Sequence, residues 1–254
     1  MLEFDEQTAQ RLVKVYTTPD VVEQRQATRE ILALQPGERV LDVGSGPGML
    51  AAEMAAEVAP DGRVVGVDPS ESMLALARGR TDAAEFVAGD ALELPVPDAS
   101  FDVVVSTQVL EYVEDVAGAL AEARRVLRPG GRLLVLDTDW DSVVWHSSDA
   151  DRMRRVLATW DEHLADPGLP RRLTGLLKGA RFDVGDPAVL PILNAGFDPR
   201  TYSAGLIGFV SGFVAGRQGI PDEDVAAWAD DLKGLGEDYF FSINRYLFLA
   251  RKPH

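Results

Sequence analysis

The sequence predicts an α/β fold in which a mostly parallel sheet carries helices on both faces, and three observations predict it. Short apolar runs alternate with segments of helical length between residues 39 and 137, the pattern of βαβ units whose crossovers lay each helix back on the sheet. One of those runs, Val40-Leu41-Asp42-Val43, feeds directly into a glycine loop that opens a helix. With 254 residues, 46% of them hydrophobic, the chain can bury one sizeable core with a small appended lid, but hardly two full domains.

Thr18-Pro19-Asp20 reads as a helix start, with Thr18 as N-cap and Pro19 at the first helical position, where its missing N–H costs nothing. This helix runs to about Leu34 and stops before Pro36-Gly37. Arg39–Val43 is then a buried parallel strand, followed by a helix from about Met49 to Val58. The alternation continues with strand Arg63–Asp68, helix Ser70–Arg80, strands Ala84–Ala88 and Phe101–Ser106, helix Asp115–Leu127 and strand Gly131–Asp137. Past Asp137 the rhythm changes: Asp149 to about Phe182 reads as two helices broken at Asp166-Pro167-Gly168, a candidate lid. Phe197–Ser203 and Tyr239–Ala250 read as closing strands, separated by a glycine-rich segment and the helix Asp222–Leu232. The second is rich in aromatic and branched residues and suits a strand near the sheet edge.

Composition excludes several classes of chemistry. No cysteine is present, so disulfides, thiolate metal sites and a cysteine nucleophile are all ruled out, and three histidines scattered at 146, 163 and 254 do not make a metal cage. No metal is expected. A net charge of −16 repels phosphate backbones, and the clusters Arg124, Arg125, Arg128 and Arg152, Arg154, Arg155 read as solvated helix faces, so no nucleic-acid partner is expected. The acidic start MLEFDEQTAQ lacks the pattern of a signal peptide. The longest apolar stretch, Ala204 to Ala215, is too short for the ~20 residues of a spanning helix. The expectation is a cytoplasmic protein without a membrane partner, monomeric or homodimeric.

The stretch Val40-Leu41-Asp42-Val43-Gly44-Ser45-Gly46-Pro47-Gly48 carries the most information. Its glycines let the backbone approach a ligand, and the helix that follows offers free N–H groups and partial positive charge. The spacing is G-x-G-x-G; the dinucleotide pattern G-x-G-x-x-G would need glycine where Met49 stands, which disfavours a nicotinamide oxidoreductase. Asp68 ends the second strand, where a carboxylate can accept both ribose hydroxyls of a nucleoside. Gly89-Asp90 follows the third strand and places a carboxylate within reach of an adenine amino group. Each aspartate alone is equally a helix cap or a turn residue. Three strand ends converging on one crevice argue for the ligand.

At these residues the chain resembles a class I S-adenosylmethionine-dependent methyltransferase, close to the branch with quinone-biosynthesis C-methyltransferases and many small-molecule enzymes. The matching stretches are VLDVGSGPG, VVGVDPSESMLALAR, FVAGDALELPVPDASFDVVVSTQVLEYVED and EARRVLRPGGRLLVLD, spanning most of residues 38 to 137. The resemblance implies that Asp42, Gly44, Ser45, Gly46 and Gly48 line the methionine moiety, Asp68 holds the ribose and Met73 packs near the adenosine. It further implies that Gly89, Asp90 and Ala91 border the adenine and that Gln108 and Val109 lie beside the sulfonium. Relatives often carry cysteine where Ser45 stands. Likeness to relatives also makes Tyr16 and Arg25 a cap on the cofactor, with Arg25 paired to its carboxylate; the alternative is a packing tyrosine and a surface arginine. The tail SINRYLFLARKP resembles the family's final strand, implying a Rossmann-like, seven-stranded, mostly parallel sheet whose last strand is antiparallel.

The expected organisation is an N-terminal helical cap over residues 1–36, the cofactor-binding half over 37–137, a helical lid over 138–185, and a C-terminal part over 186–254 holding the last two strands. The expected activity is methyl transfer from S-adenosyl-L-methionine, with S-adenosyl-L-homocysteine as product, to carbon, oxygen or nitrogen of a small-molecule acceptor. Trp140, Trp145, His146, Trp160 and His163 crowd the lid segment. Trp140 and Trp145, with Tyr202, Phe209 and Phe213, form a candidate acceptor pocket, the alternative being ordinary lid packing. His146 is the candidate base if the acceptor loses a proton, the alternative being a hydrogen-bonded loop histidine. A protein of this fold that binds the cofactor but catalyses another reaction, or only binds ligand, is the competing expectation.

Overall fold

The computed structural model describes residues 6–254. In chain order the elements are α1 (Glu6–Tyr16), α2 (Pro19–Leu32), β1 (Arg39–Val43), α3 (Met49–Val58), β2 (Arg63–Asp68), α4 (Glu71–Arg80), β3 (Glu85–Ala88), β4 (Phe101–Thr107), α5 (Val116–Val126), β5 (Leu127–Trp145), α6 (Ala150–Trp160), α7 (Pro170–Gly179), β6 (Asp183–Val184), β7 (Ala188–Ala195), α8 (Tyr202–Val214), α9 (Asp222–Gly234) and β8 (Phe240–Arg251).

The strands form one sheet in the order β3-β2-β1-β4-β5-β8-β6, and β7 also pairs with β8. Strands β1 to β5 are parallel, and β8 runs antiparallel to β5, β6 and β7. The parallel strands are buried almost throughout, β1 as Val40, Leu41, Asp42 and Val43 and β4 from Phe101 to Ser106. Burial on both faces explains why they read as continuous apolar runs. One apolar cluster joins Leu41, Val43, Val104 and Val135 to α5 and α7. A second joins Val40, Val103, Val105 and Leu134 to α3 and α4 on the opposite face. A third, around Trp145, Trp160, Trp228 and Phe241, lies among α6, α8, α9 and the far ends of β5 and β8.

Among the described residues the sheet has eight strands where seven were expected, and Phe197–Ser203 is not one of them. The strand lies earlier, at β7. Pro191 lies within it, but among the described residues β7 bonds only β8, and an outer strand tolerates the missing N–H. Helix α8 instead begins at Tyr202, because its first N–H groups find distant acceptors: Tyr202 N donates to Asp20 Oδ2 at 2.8 Å and Ser203 N to Asn194 Oδ1 at 3.3 Å. Helix α2 starts at Pro19, but Thr18 contributes no side-chain cap; its hydroxyl donates to Val15 O at 2.7 Å.

Strand β5 also runs beyond its expected end at Asp137, to Trp145. Pairing with β8 carries it through an irregularity between Asp139 and Val144, so residues 138–145 are sheet and the helices of the lid segment begin at Ala150. The lid segment is nonetheless tied to the crevice. Ala165 N and Asp166 N both donate to Glu111 O, and Trp140 N donates to Pro167 O.

Candidate functional site

Parallel pairing places Asp42, Asp68 and Asp90 at one edge. Asp42 faces Gly66 two residues before Asp68, and Asp68 faces Ala88 two residues before Asp90. The carboxylates therefore step along the carboxyl ends of three adjacent strands, where open α/β sheets bind ligands.

The glycine loop is held over this edge by backbone bonds and by Asp68. Gly44 N and Ser45 N both donate to Val67 O, and Gly46 N donates to Asp68 Oδ2 at 2.8 Å. Ser70 N takes Asp68 Oδ1 at 2.9 Å. Each oxygen of Asp68 thus spends one lone pair on structure and keeps capacity for a further donor. Gly44 has φ +70°, and a Cβ there would collide with the Val109 side chain. Gly48, φ +73°, lies where a Cβ would come within 2.8 Å of Ala77 Cβ and Phe86 Cζ. The loop is glycine-dependent for both reasons: a left-handed backbone and no room. Gly44→Ala is expected to cost about 1–2 kcal/mol in backbone strain and to displace Val109, which calorimetry will register as at least a tenfold loss of nucleoside affinity.

Asp42 is buried, and among the described residues its Oδ2 has no hydrogen-bond partner; Ser45 Oγ is likewise buried and without one among them. Burial, with a smaller contribution from neighbouring Asp68, pushes the Asp42 carboxyl up to about 8. Burial raises Asp68 too, opposed by its bonds from Ser70 and Gly46. A buried carboxyl without a donor is a place where a cation would be stabilised. Met73 is buried in the first turn of α4, Gly89 is fixed by a bond from its N–H to Asp68 O, and Ala91 is half-buried. Asp90 is exposed and accepts from Leu92 N at 2.7 Å.

At the tip of β4, Gln108 adopts a left-handed backbone, φ +58°, and its N–H donates to Leu136 O at 2.7 Å. Val109 N donates to Asp137 Oδ1 at 3.0 Å. Here the structure adds residues that the sequence reading did not single out. Glu111 is buried and accepts from Thr138 N at 2.9 Å; burial raises it to about 7 against that bond and Arg245. Asp137 is buried, raised by desolvation and then by Glu111. Thr138 Oγ1 donates to Gln108 Oε1 at 2.6 Å and accepts from Arg245 Nε at 3.2 Å. Arg245 was detectable in principle: it falls on the same strand parity as the apolar Phe241, Ile243 and Leu247, all buried.

Several expected residues lie elsewhere than their assigned roles required. Arg25 is bonded to Glu53 at 3.1 Å and to Tyr16 O, so its guanidinium is engaged within the helices. His146 is exposed. The step from Asp137 to Trp145 corresponds to five residues of β8, from Tyr246 to Phe241, about 17 Å along the strand. His146 therefore stands well away from the crevice. Trp145 belongs to the third apolar cluster: its Nε1 donates to Tyr239 Oη at 3.1 Å, and its ring meets Trp228 at 5.4 Å and Phe241 at 4.9 Å. It packs the interior of that layer. Trp140, Tyr202 and Phe213 are buried, and Phe209 partly so. Trp140 joins Trp160, Phe213 and Tyr112 around His163, a buried imidazole lowered to about 4 chiefly by desolvation.

Comparison with known proteins agrees with this edge. Residues 41–135 match the family model described as a methyltransferase domain. An uncharacterized 37.1 kDa protein of a transposon in Streptomyces fradiae is 42% identical over 167 residues, 64% of this chain and 48% of that one. A demethylmenaquinone methyltransferase of Symbiobacterium thermophilum is 42% identical over 118 residues, 43% of this chain and 47% of that one. The chain therefore spans about half the length of these curated relatives. Among solved structures, the [4+2]-cyclase SpnF superposes with a TM-score of 0.60 at 26% identity over 92% of this chain and 81% of its own. The glycine loop and the stepped aspartates fall within the segment that matches the methyltransferase domain, and the sheet continues that segment's parallel strands.

Proposed function

We propose that this protein transfers a methyl group from S-adenosylmethionine to a small-molecule acceptor. The observation that carries the proposal is the Asp42 oxygen beneath the glycine loop, buried and without a hydrogen-bond partner among the described residues. It suits a cofactor that brings a positively charged amino group and a sulfonium, and neither is found in a nicotinamide dinucleotide's phosphate-facing half. When bound, the cofactor supplies an electrophilic methyl group. In this reading Asp42, Gly44, Ser45, Gly46 and Gly48 hold the methionine portion and Asp68 takes the ribose hydroxyls. Met73 packs on the adenosine, Gly89, Asp90 and Ala91 border the adenine, and Gln108 and Val109 flank the reactive carbon. Tyr16 closes the site from α1 while Arg25 anchors that helix through Glu53.

The chain's contribution to transfer is alignment and dryness. The acceptor's lone pair forms a bond to the methyl carbon as the carbon–sulfur bond breaks, and any proton leaves from the acceptor atom. His146 has no part in this reading, and His146→Ala is expected to keep turnover within about twofold in a product-release assay. The direct test is S-adenosylhomocysteine formation with a panel of phenols, quinols and amines. The [4+2]-cyclase at 26% identity over 92% of the chain favours one second reading, a cofactor-binding protein that guides another transformation. That reading predicts tight cofactor binding with no S-adenosylhomocysteine formed.

A further inference from the structure

Arg245 sits in the middle of β8 and is only 3% exposed. A buried guanidinium is costly unless a carboxylate neutralises it. Among the described residues Arg245 has no ion-pair partner; its bonds go to the neutral oxygens of Thr138, at 3.2 Å, Gln24 and Tyr202. Its guanidinium lies 4.7 Å from the centre of the Tyr202 ring. Five N–H groups radiate from it, more than these acceptors use. The fold thus retains a buried positive charge with no carboxylate bonded to it among the described residues, and Glu111 is the nearby carboxyl it attracts.

The surroundings give that charge a place in the reaction. Thr138 Oγ1 bridges Arg245 to Gln108, so one hydroxyl separates the guanidinium from the tip of β4. Tyr202 on α8 lies against it, and Tyr16 on α1 is within its electrostatic reach. Burial raises both phenols, Tyr16 to about 12, with Arg245 acting in the opposite direction on each. Both therefore stay protonated and able to donate. Glu111, on the turn after β4, carries the nearby carboxyl, and its proton affinity is raised by burial. A buried cation beside two phenolic donors is the complement of an oxygen anion.

We propose that Arg245, with Tyr16 and Tyr202, binds an anionic oxygen of the acceptor, a phenolate, enolate or carboxylate, beside Gln108. The proposal rests on the methyltransferase reading and names its substrate class. The local buried charge outweighs the solvent-screened field of the acidic surface, which by itself disfavours anions.

The test uses 4-nitrophenol as a chromophoric probe and benzoate against benzamide as an anion-neutral pair, each with protein saturated by S-adenosylhomocysteine. The wild type is expected to bind nitrophenolate about tenfold better than nitrophenol, seen as a fall of about one unit in the apparent pKa of the bound probe, and to prefer benzoate similarly. Arg245→Met should abolish both preferences, and Arg245→Lys should keep part of them. Both variants should bind S-adenosylhomocysteine within about twofold of wild type, and Arg245→Met should melt no lower, since an apolar side chain replaces a buried charge. The wild-type measurement decides the matter even if a variant misfolds: no preference for either anion, or no binding of either at millimolar concentration, overturns the proposal. So does a tenfold loss of S-adenosylhomocysteine affinity in Arg245→Met, which would assign the guanidinium to the cofactor's carboxylate. Failure of the wild type to bind S-adenosylhomocysteine at all would instead overturn the function proposed above.

Discussion

Replacing Asp68 by alanine is expected to weaken S-adenosylhomocysteine binding by more than about 100-fold in calorimetry. The carboxylate joins the glycine loop, through Gly46 N, to the start of α4, through Ser70 N. In the proposed complex the same oxygens take the ribose hydroxyls. Hydrogen bonds to a charged group contribute about 1.5–3 kcal/mol each, so losing two from ligand to protein accounts for the expected loss. The loop itself would also loosen. Asp68→Asn keeps one acceptor oxygen and should fall between wild type and alanine; equal affinity in all three would remove Asp68 from the site.

Asp42→Asn is expected to weaken binding by about 10- to 100-fold and to change its pH dependence. With its carboxyl pushed up to about 8, Asp42 is mostly protonated in the free protein at neutral pH. Binding a cationic group favours the ionised form, so a proton is released. Wild-type affinity should therefore rise with pH, by up to about tenfold per unit between pH 6 and 8, then level off. The asparagine variant should show no such slope. Stability follows the opposite course. The folded state holds this proton more tightly than the unfolded chain, so the contribution is full below about pH 4 and is lost as pH rises through about 8. Glu111, raised to about 7, and Asp137, also raised, act in the same direction. Denaturation midpoints of Asp42→Asn should decline less than wild type over that range.

The parallel half of the fold was legible because its signals are local. A five-residue apolar strand, a glycine turn and a helix follow one another from Arg39 to Val58, and the observed bounds of α3 and β2 coincide with those read from the sequence. The position of Asp68 at a strand end is written in the same way. The rest depends on partners far along the chain. Helix α8 starts where it does because Asp20 and Asn194 reach its first turn, and no local pattern around Tyr202 announces them. Strand β5 continues to Trp145 because β8 is there to pair with it, which moves His146 and Trp145 out of the expected pocket. The Gln24, Glu111, Thr138 and Arg245 network draws on four separate elements. Only Arg245 left a trace in the sequence, as a charge on the apolar parity of a strand.

The measurement that tests the account most directly is calorimetric titration of the wild-type protein with S-adenosylhomocysteine and, in parallel, with NAD. The account predicts saturable one-to-one binding of S-adenosylhomocysteine, with proton release at pH 7 that vanishes in Asp42→Asn, and no saturation by NAD. Saturation by NAD, or S-adenosylhomocysteine binding that Asp42→Asn and Asp68→Ala leave unchanged, would contradict it.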